Sequence, residues 1–244
     1  MFILEHCSIR VKMVLMATKA QRTGKAQRTE RRVDALSKER IVEAAIEILD
    51  SYGESALTFR TLAARLATGS GAIYWHVANK NDLLAATADD VIARVMSDLA
   101  SDTEPREAIR GIVLGVFDAI DAHPWVGSQL SGEPWQSAVL RIFEGVGGQL
   151  QALGVPQRAQ FDCASALVNY VLGLAGQYAA SVRLLARETD RSAFLATVAA
   201  RWAQLDPAAY PFMRQVATQL REHDDREQFL AGIDLILAGI TTVR

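Results

Sequence analysis

From Ser37 onward, apolar residues recur at three- and four-residue intervals, the period of a helix with one buried face. In SKERIVEAAIEILDSYG that face holds Ile41, Ala45, Ile48, Leu49 and Tyr52, with Glu43, Glu47 and Asp50 elsewhere. The spacing predicts a first helix with Ser37 as its N-cap and Gly53 as its C-terminal stop. After GESAL, Thr58 is placed to cap a second, shorter helix whose Leu62, Ala63 and Leu66 face inward. That helix is expected to end near ATG, in a turn where Gly69 is free to take positive φ, and Ser70 to cap a third.

In the third helix Ile73 and Val77 stand four residues apart and pack inward together. At about 100° of rotation per residue, Gly71 and Trp75 then face away, Ala72 and Tyr74 lie on the flanks, and His76 is near one edge. The predicted element therefore turns aromatic rings outward behind a tip of small residues. Three short helices, a tight turn before the last, and a basic segment in front form the pattern of a helix-turn-helix reader of DNA.

The helical period continues to the end of the chain. NDLLAATADDVIARVMSDLA is a fourth helix, expected to be capped by Asn81, and PREAIRGIVLGVFDAIDAHP a fifth, stopped by Pro124. A short segment and a helix ending at Gly154 follow, then one long run, QRAQFDCASALVNYVLGLAGQYAASVRLLARE, rich in Ala, Gly and Ser. Residues 191–220 hold a further helix and the proline-interrupted LDPAAYPFM. The last helix carries Phe229, Ile233, Ile236, Leu237 and Ile240 on one broad face that calls for a partner. The expected fold class is all-α: a three-helix domain of helix-turn-helix, DNA-binding pattern followed by a larger helical domain whose last helix calls for a partner. The boundaries are a basic arm at 1–36, the helix-turn-helix domain at 37–84 and the larger helical domain at 85–244.

Charge sharpens this division. Residues 1–85 carry 13 Lys and Arg against 9 Asp and Glu, and the remainder 13 against 19, so a basic front precedes an acidic rear. Lys19, Arg22, Lys25, Arg28, Arg31 and Arg32 lie among Thr, Gln and Gly, the composition of a solvated tail. Such an arm either does nothing or lies along phosphates, releasing counterions. The chain has 244 residues, half of them hydrophobic, and needs no staple; Cys7 and Cys163 are far apart, as expected of structural thiols in a reducing cytoplasm. Glu5, His6, Arg10 and Lys12 interrupt the apolar runs at the front, so neither a signal segment nor a membrane span is expected.

The stretch ALTFRTLAARLATGSGAIYWHVANKNDLL resembles the DNA-binding domain of the TetR family of bacterial transcriptional regulators, and within it YWHVANK is closest to the tetracycline-repressor branch. The close match runs from about Lys38 to Leu84. The resemblance implies a homodimer on a palindromic operator in double-stranded DNA, joined through the long penultimate and last helices, with a small-molecule effector. It also implies roles. Arg60 matches a base-contacting arginine, whose guanidinium can grip guanine O6 and N7. Tyr74, Trp75 and His76 match residues pressing on sugar and backbone, while Thr58 and Lys80 match phosphate contacts. Ser70, Gly71 and Ala72 stand at the base-reading positions, smaller than in the tetracycline repressors, so a different operator is expected. Arg31 and Arg32 would place the arm on the DNA.

Ligand candidates sit at interruptions between helices or on the long helix: His123, Trp125, Trp135, Phe143, Asn169, Tyr170, Gln177 and Tyr178. AHPW falls where the tetracycline-repressor branch has a drug-site histidine, but its other polar drug-site positions are unrecognisable here. A bulkier, mostly apolar effector is expected instead of tetracycline with magnesium, and no cofactor. For each candidate, core packing is the competing role. His76 lacks partners at metal-ligand spacing, and GSGAIY lacks the strand and third glycine of a nucleotide loop. An enzyme is the rival class, yet His123 and His223 have no nucleophile-base grouping nearby. The expectation is a repressor released by its effector; a transcriptional activator of the same fold is the alternative.

Overall fold

The structure, a computed structural model, describes residues 36–98, 103–132, 135–185, 191–222 and 224–243. The arm at 1–35, with Cys7, and His223 lie outside the described residues. The helices are α1 (Lys38–Tyr52), α2 (Phe59–Arg65), α3 (Ser70–Tyr74), α4 (Lys80–Ser97), α5 (Pro105–Ala122) and α6 (Pro124–Leu130), followed by α7 (Ser137–Ala152), α8 (Gln157–Leu185), α9 (Arg191–Ala203), α10 (Pro211–Val216) and α11 (Asp225–Ile240).

Local signals explain most ends. Ser37 accepts from the Arg40 N–H at 3.3 Å and opens α1; Gly53, at φ +75°, closes it with its N–H on Leu49 O at 2.9 Å. Hydrogen bonding to backbone amides, and next to Ser37, holds the Glu39 carboxyl below its ordinary pKa. Pro124 follows the end of α5 and occupies the first turn of α6, where its missing N–H is not needed.

Four local expectations need correction. The cap of α4 is Asn79, not Asn81: Asn79 is extended and its Oδ1 accepts from the Asp82 N–H at 2.9 Å, whereas Asn81 is already helical. Ser70 is the first helical residue and Gly69 the cap, without a side-chain bond. Gly69 is at φ −87°; the positive φ belongs to Ala67, at +50°. The Thr68 N–H reaches Ala63 O at 3.0 Å, so α2 closes in a Schellman turn with alanine where glycine is usual. Tyr52, assigned to the apolar face of α1, is 70% exposed because the helix ends as its side chain passes the edge of the packed surface.

Ala67→Gly should therefore stabilise the protein by about 0.5–1 kcal/mol: relief of a left-handed non-glycine residue, about 1–2 kcal/mol, exceeds the added chain entropy of glycine. The midpoint of urea unfolding reads this directly.

One apolar core runs from Ile41 in α1 to Ile240 in α11. α4 packs on α1, α5 and α7; α8 packs on α5, α6 and α7; α11 lies on α5 and α8. Across these layers Arg141 reaches Asp89 at 2.6 Å, tying α7 to α4, and Arg226 reaches Asp118 at 3.0 Å, tying α11 to α5. Phe229 stacks on Phe117 at 5.0 Å and Tyr170 at 5.6 Å. The face of α11 formed by Phe229, Ile233, Leu237 and Ile240 is thus covered by the chain itself, not left for a partner. Cys163 is buried on α8, and burial pushes its thiol pKa up, so it stays a packing group.

Candidate nucleic-acid interface

The beginning of α2 is held firmly. Thr58 and Thr61 cap each other's amides at 3.1 and 3.0 Å, and the Thr61 hydroxyl also contacts Ala56 O at 2.8 Å. Thr58 is thereby fixed as an exposed hydroxyl at the start of α2, with Phe59 and the exposed Arg60 directly after it. Phe59 stacks on Tyr74 with ring centroids 4.4 Å apart and planes 12° from parallel. This stack joins the start of α2 to the end of α3, bringing the Thr58–Arg60 segment beside the ring cluster.

α3 has five residues, too few to persist alone. Ile73 is fully buried and Val77 nearly so, as their spacing predicts, and they fasten the element to the core. With those two inward, Trp75 is 89% and Tyr74 55% exposed. Ser70, Gly71 and His76 are exposed and Ala72 is half-buried. Tyr74 thus offers one ring face outward while Phe59 of α2 covers the other. Lys80, at the start of α4, donates to Glu54 O at 2.7 Å and faces the Glu54 carboxylate at 3.9 Å, so part of its ammonium is already engaged within the head. Arg65 is tied to Glu47 of α1. Arg60 has no ion pair among the described residues.

The charge balance of this surface is unexpected. Residues 36–85 contain 5 Lys and Arg against 6 Asp and Glu, whereas residues 1–35 contain 8 against 3. The whole positive excess of the front lies in the arm, with Arg31 and Arg32, outside the described residues. The folded head as a whole is thus close to neutral, with one more acidic than basic residue.

The ligand candidates do not converge. His123 Nδ1 and Trp125 Nε1 both bond Asp50 Oδ1, at 2.8 and 2.7 Å. Trp135 is 68% exposed, and Asn169 and Gln177 are exposed on α8. Phe143 and Tyr170 are half-buried against the core, and burial pushes the Tyr170 phenol pKa up. Tyr178 lies on α8, outside the residues whose side chains are described. A cleft of about 500 Å³ opens between α1, α4 and α5, lined by Ile46, Val91, Val95, Leu114, Ala119 and His123, among others. Among the described residues no group of three His, Cys, Asp or Glu is placed to hold a metal, and no helix is long and apolar enough to cross a membrane.

Sequence reasoning missed Phe59, Thr61 and Asp50. Thr61 was legible, since Thr58 and Thr61 have the spacing of a capping box. Phe59 and Asp50 act on residues in other helices, and periodicity within one helix carries no sign of that.

Comparison with known proteins agrees with this geometry. A family described as "Bacterial regulatory proteins, tetR family" matches residues 41–87, and one described as "Tetracyclin repressor-like, C-terminal domain" matches residues 105–244. An HTH-type transcriptional regulator of Saccharopolyspora erythraea is 32% identical over 139 residues, which are 57% of this chain and 59% of that protein; the match spans little more than half of that relative's length. The tetracycline repressor protein class D of Escherichia coli is 27% identical over 84% of this chain and 88% of its own length. Among solved structures, the transcriptional regulator SCO7222, a TetR from Streptomyces coelicolor, is 52% identical with a TM-score of 0.75, over 86% of this chain and 99% of that one.

Proposed function

The chain belongs to the TetR family of bacterial regulatory proteins, and on that premise we propose that it is a cytoplasmic, non-enzymatic repressor that leaves a palindromic operator when a small, mostly apolar molecule binds it. The observation that carries this is the ring pair Tyr74 and Trp75, exposed on a helix whose other side is locked by Ile73. Water does not favour an 89% exposed tryptophan on a rigid support; the flank of a DNA groove gives it apolar contact.

Arg60 reads a base edge, and Ser70, Gly71 and Ala72 form the tip that enters the major groove. Tyr74, Trp75 and His76 press on sugar and phosphate, Thr58 and Lys80 bond phosphates, and Arg31 and Arg32 carry the arm along the backbone. The recognition helix belongs nearest to the tetracycline-repressor branch, with a different operator. The arm ends at 36, the reader spans 37–84, and 85–244 binds the effector.

One short helix reads too few bases, so two copies act together. The second copy covers an outward stripe on α8, with Phe161 (74% exposed), Ala166 and Gly173, and one on α11, with Ala231, Leu235 (76% exposed) and Ala238. An effector favouring the unbound arrangement about 100-fold biases the equilibrium by about 2.7 kcal/mol.

Selection from random duplex DNA followed by anisotropy titration tests this reading, and recovery of no preferred sequence defeats it. On the selected site, the Arg31→Ala, Arg32→Ala double variant should flatten log K against log salt by about 0.9 for each phosphate no longer neutralised, about 1.8 for each copy and about 3.6 for the pair. An unchanged slope removes these arginines from the interface.

A further inference from the structure

We infer that Asp50 sets the orientation of the DNA-reading head on the rest of the chain, by gathering His123 and Trp125 onto one carboxylate oxygen. The inference rests on the DNA-reading function proposed above. Asp50 lies in the last turn of α1, within the head; His123 caps the end of α5 and Trp125 is in the first turn of α6. Asp50 Oδ1 accepts from Trp125 Nε1 at 2.7 Å and from His123 Nδ1 at 2.8 Å, so three helices meet at one atom.

Chemistry makes this junction specific. A carboxylate only accepts, so the Nδ1 of His123 carries the proton toward it, and both bonds gain from the acceptor's charge. Trp125 is 9% exposed, and its indole nitrogen can only donate. Asp50 and His123 are themselves about a third exposed at the side chain, so without Asp50 the indole N–H loses its charged acceptor and turns to water, and the tie between α1 and α6 is lost. The two polar partners of Asp50 come from segments 73 and 75 residues further along the chain, so the contact reports the relative placement of head and effector part, not the conformation of either alone.

The head is also attached through α4, which continues directly from it, packs on α1 and runs on against α5 and α7. The junction adds a second tie at the far end of α1, which limits rotation of the head about α4. His123 and Ile46 also line the cleft between α1, α4 and α5. Widening that cleft separates α1 from the end of α5 and stretches the bonds to Asp50. The junction is thus either closed or broken, the kind of discrete element through which one part of a protein biases another. A head held in place loses less freedom on binding an operator than one that pivots, so the closed junction favours DNA.

Asp50→Ala and Trp125→Phe, singly and together in the full chain, test this by operator affinity at low temperature and by hydrogen exchange without DNA. Trp125→Phe keeps an aromatic ring and removes the donor, so it serves even if Asp50→Ala folds poorly. Asp50→Ala is expected to weaken binding to the selected operator about tenfold, Trp125→Phe by about fivefold, and the double variant scarcely more than Asp50→Ala. Amides of residues 123–130 and the end of α1 should exchange faster, while those of α2 stay protected. Multiplying effects, tighter DNA binding, or a lowered melting temperature with unchanged operator affinity would overturn the inference. If the unaltered chain selects no operator, the DNA-reading function itself fails, and unchanged exchange in both variants then disposes of the junction separately.

Discussion

Arg60→Ala lowers affinity for the selected operator by about 10- to 100-fold in each half-site, the worth of one bidentate arginine–guanine pair at about 1–3 kcal/mol. The melting temperature should hardly move, because Arg60 is exposed and has no ion pair among the described residues. Arg65→Ala is the matched control: its guanidinium is held by Glu47 of α1, so it spends its donors inside the head and its removal should leave sequence preference intact. Anisotropy titrations on the operator, on single-base variants and on unrelated duplex separate the outcomes. A uniform weakening on every sequence would make Arg60 a phosphate-binding residue, and no weakening would take it off the DNA.

The largest effect on stability is expected at Phe229. Its ring is 1% exposed between Phe117 and Tyr170, so Phe229→Ala removes both ring stacks and opens a cavity where α5, α8 and α11 meet. The expected cost is about 3–5 kcal/mol, a large part of the roughly 5–15 kcal/mol that holds a domain folded. Chemical unfolding should show the midpoint falling steeply, while Phe229→Leu, which keeps much of the volume, should fall distinctly less. Equal destabilisation by the two variants would mean that ring stacking, rather than filled volume, is what Phe229 contributes.

Much of the architecture is legible in the residues because helices with one wet face write their period into the chain. Ile73 and Val77 set the phase of α3, and that phase alone turns Trp75 outward, where it stands in the structure. Caps are legible where the side chain and its amide are close in sequence, as at Ser37 and Thr58. The shift from Asn81 to Asn79 comes from two asparagines competing within one turn. Ala67 escapes because a Schellman turn selects glycine only by preference, and here the packed end of α2 imposes the conformation on alanine.

What is illegible depends on pairs distant in sequence. The broad apolar face of α11 is plain in the residues, but whether α5 and α8 or another copy covers it is a matter of tertiary packing. Asp50 reads as one more solvated carboxylate on a polar face, and only the arrival of α6 makes it an acceptor for a buried indole. Trp125 and His123 read as ligand-facing for the same reason: an aromatic beside a helix break suits a cavity wall and an interhelical tie equally well. The slightly acidic balance of residues 36–85 is legible in the residues themselves.

The tip of α3 has a consequence for change over generations. A Cβ added at Gly71 would meet nothing within 4 Å, and Ser70 is exposed, while Ile73 and Val77 carry the attachment. The attachment of this short helix and its exposed tip are therefore carried by separate residues. Substitutions at Ser70 and Gly71 should cost little in folding, and on the proposed DNA-reading role of α3 they would change the operator stepwise while each variant still folds.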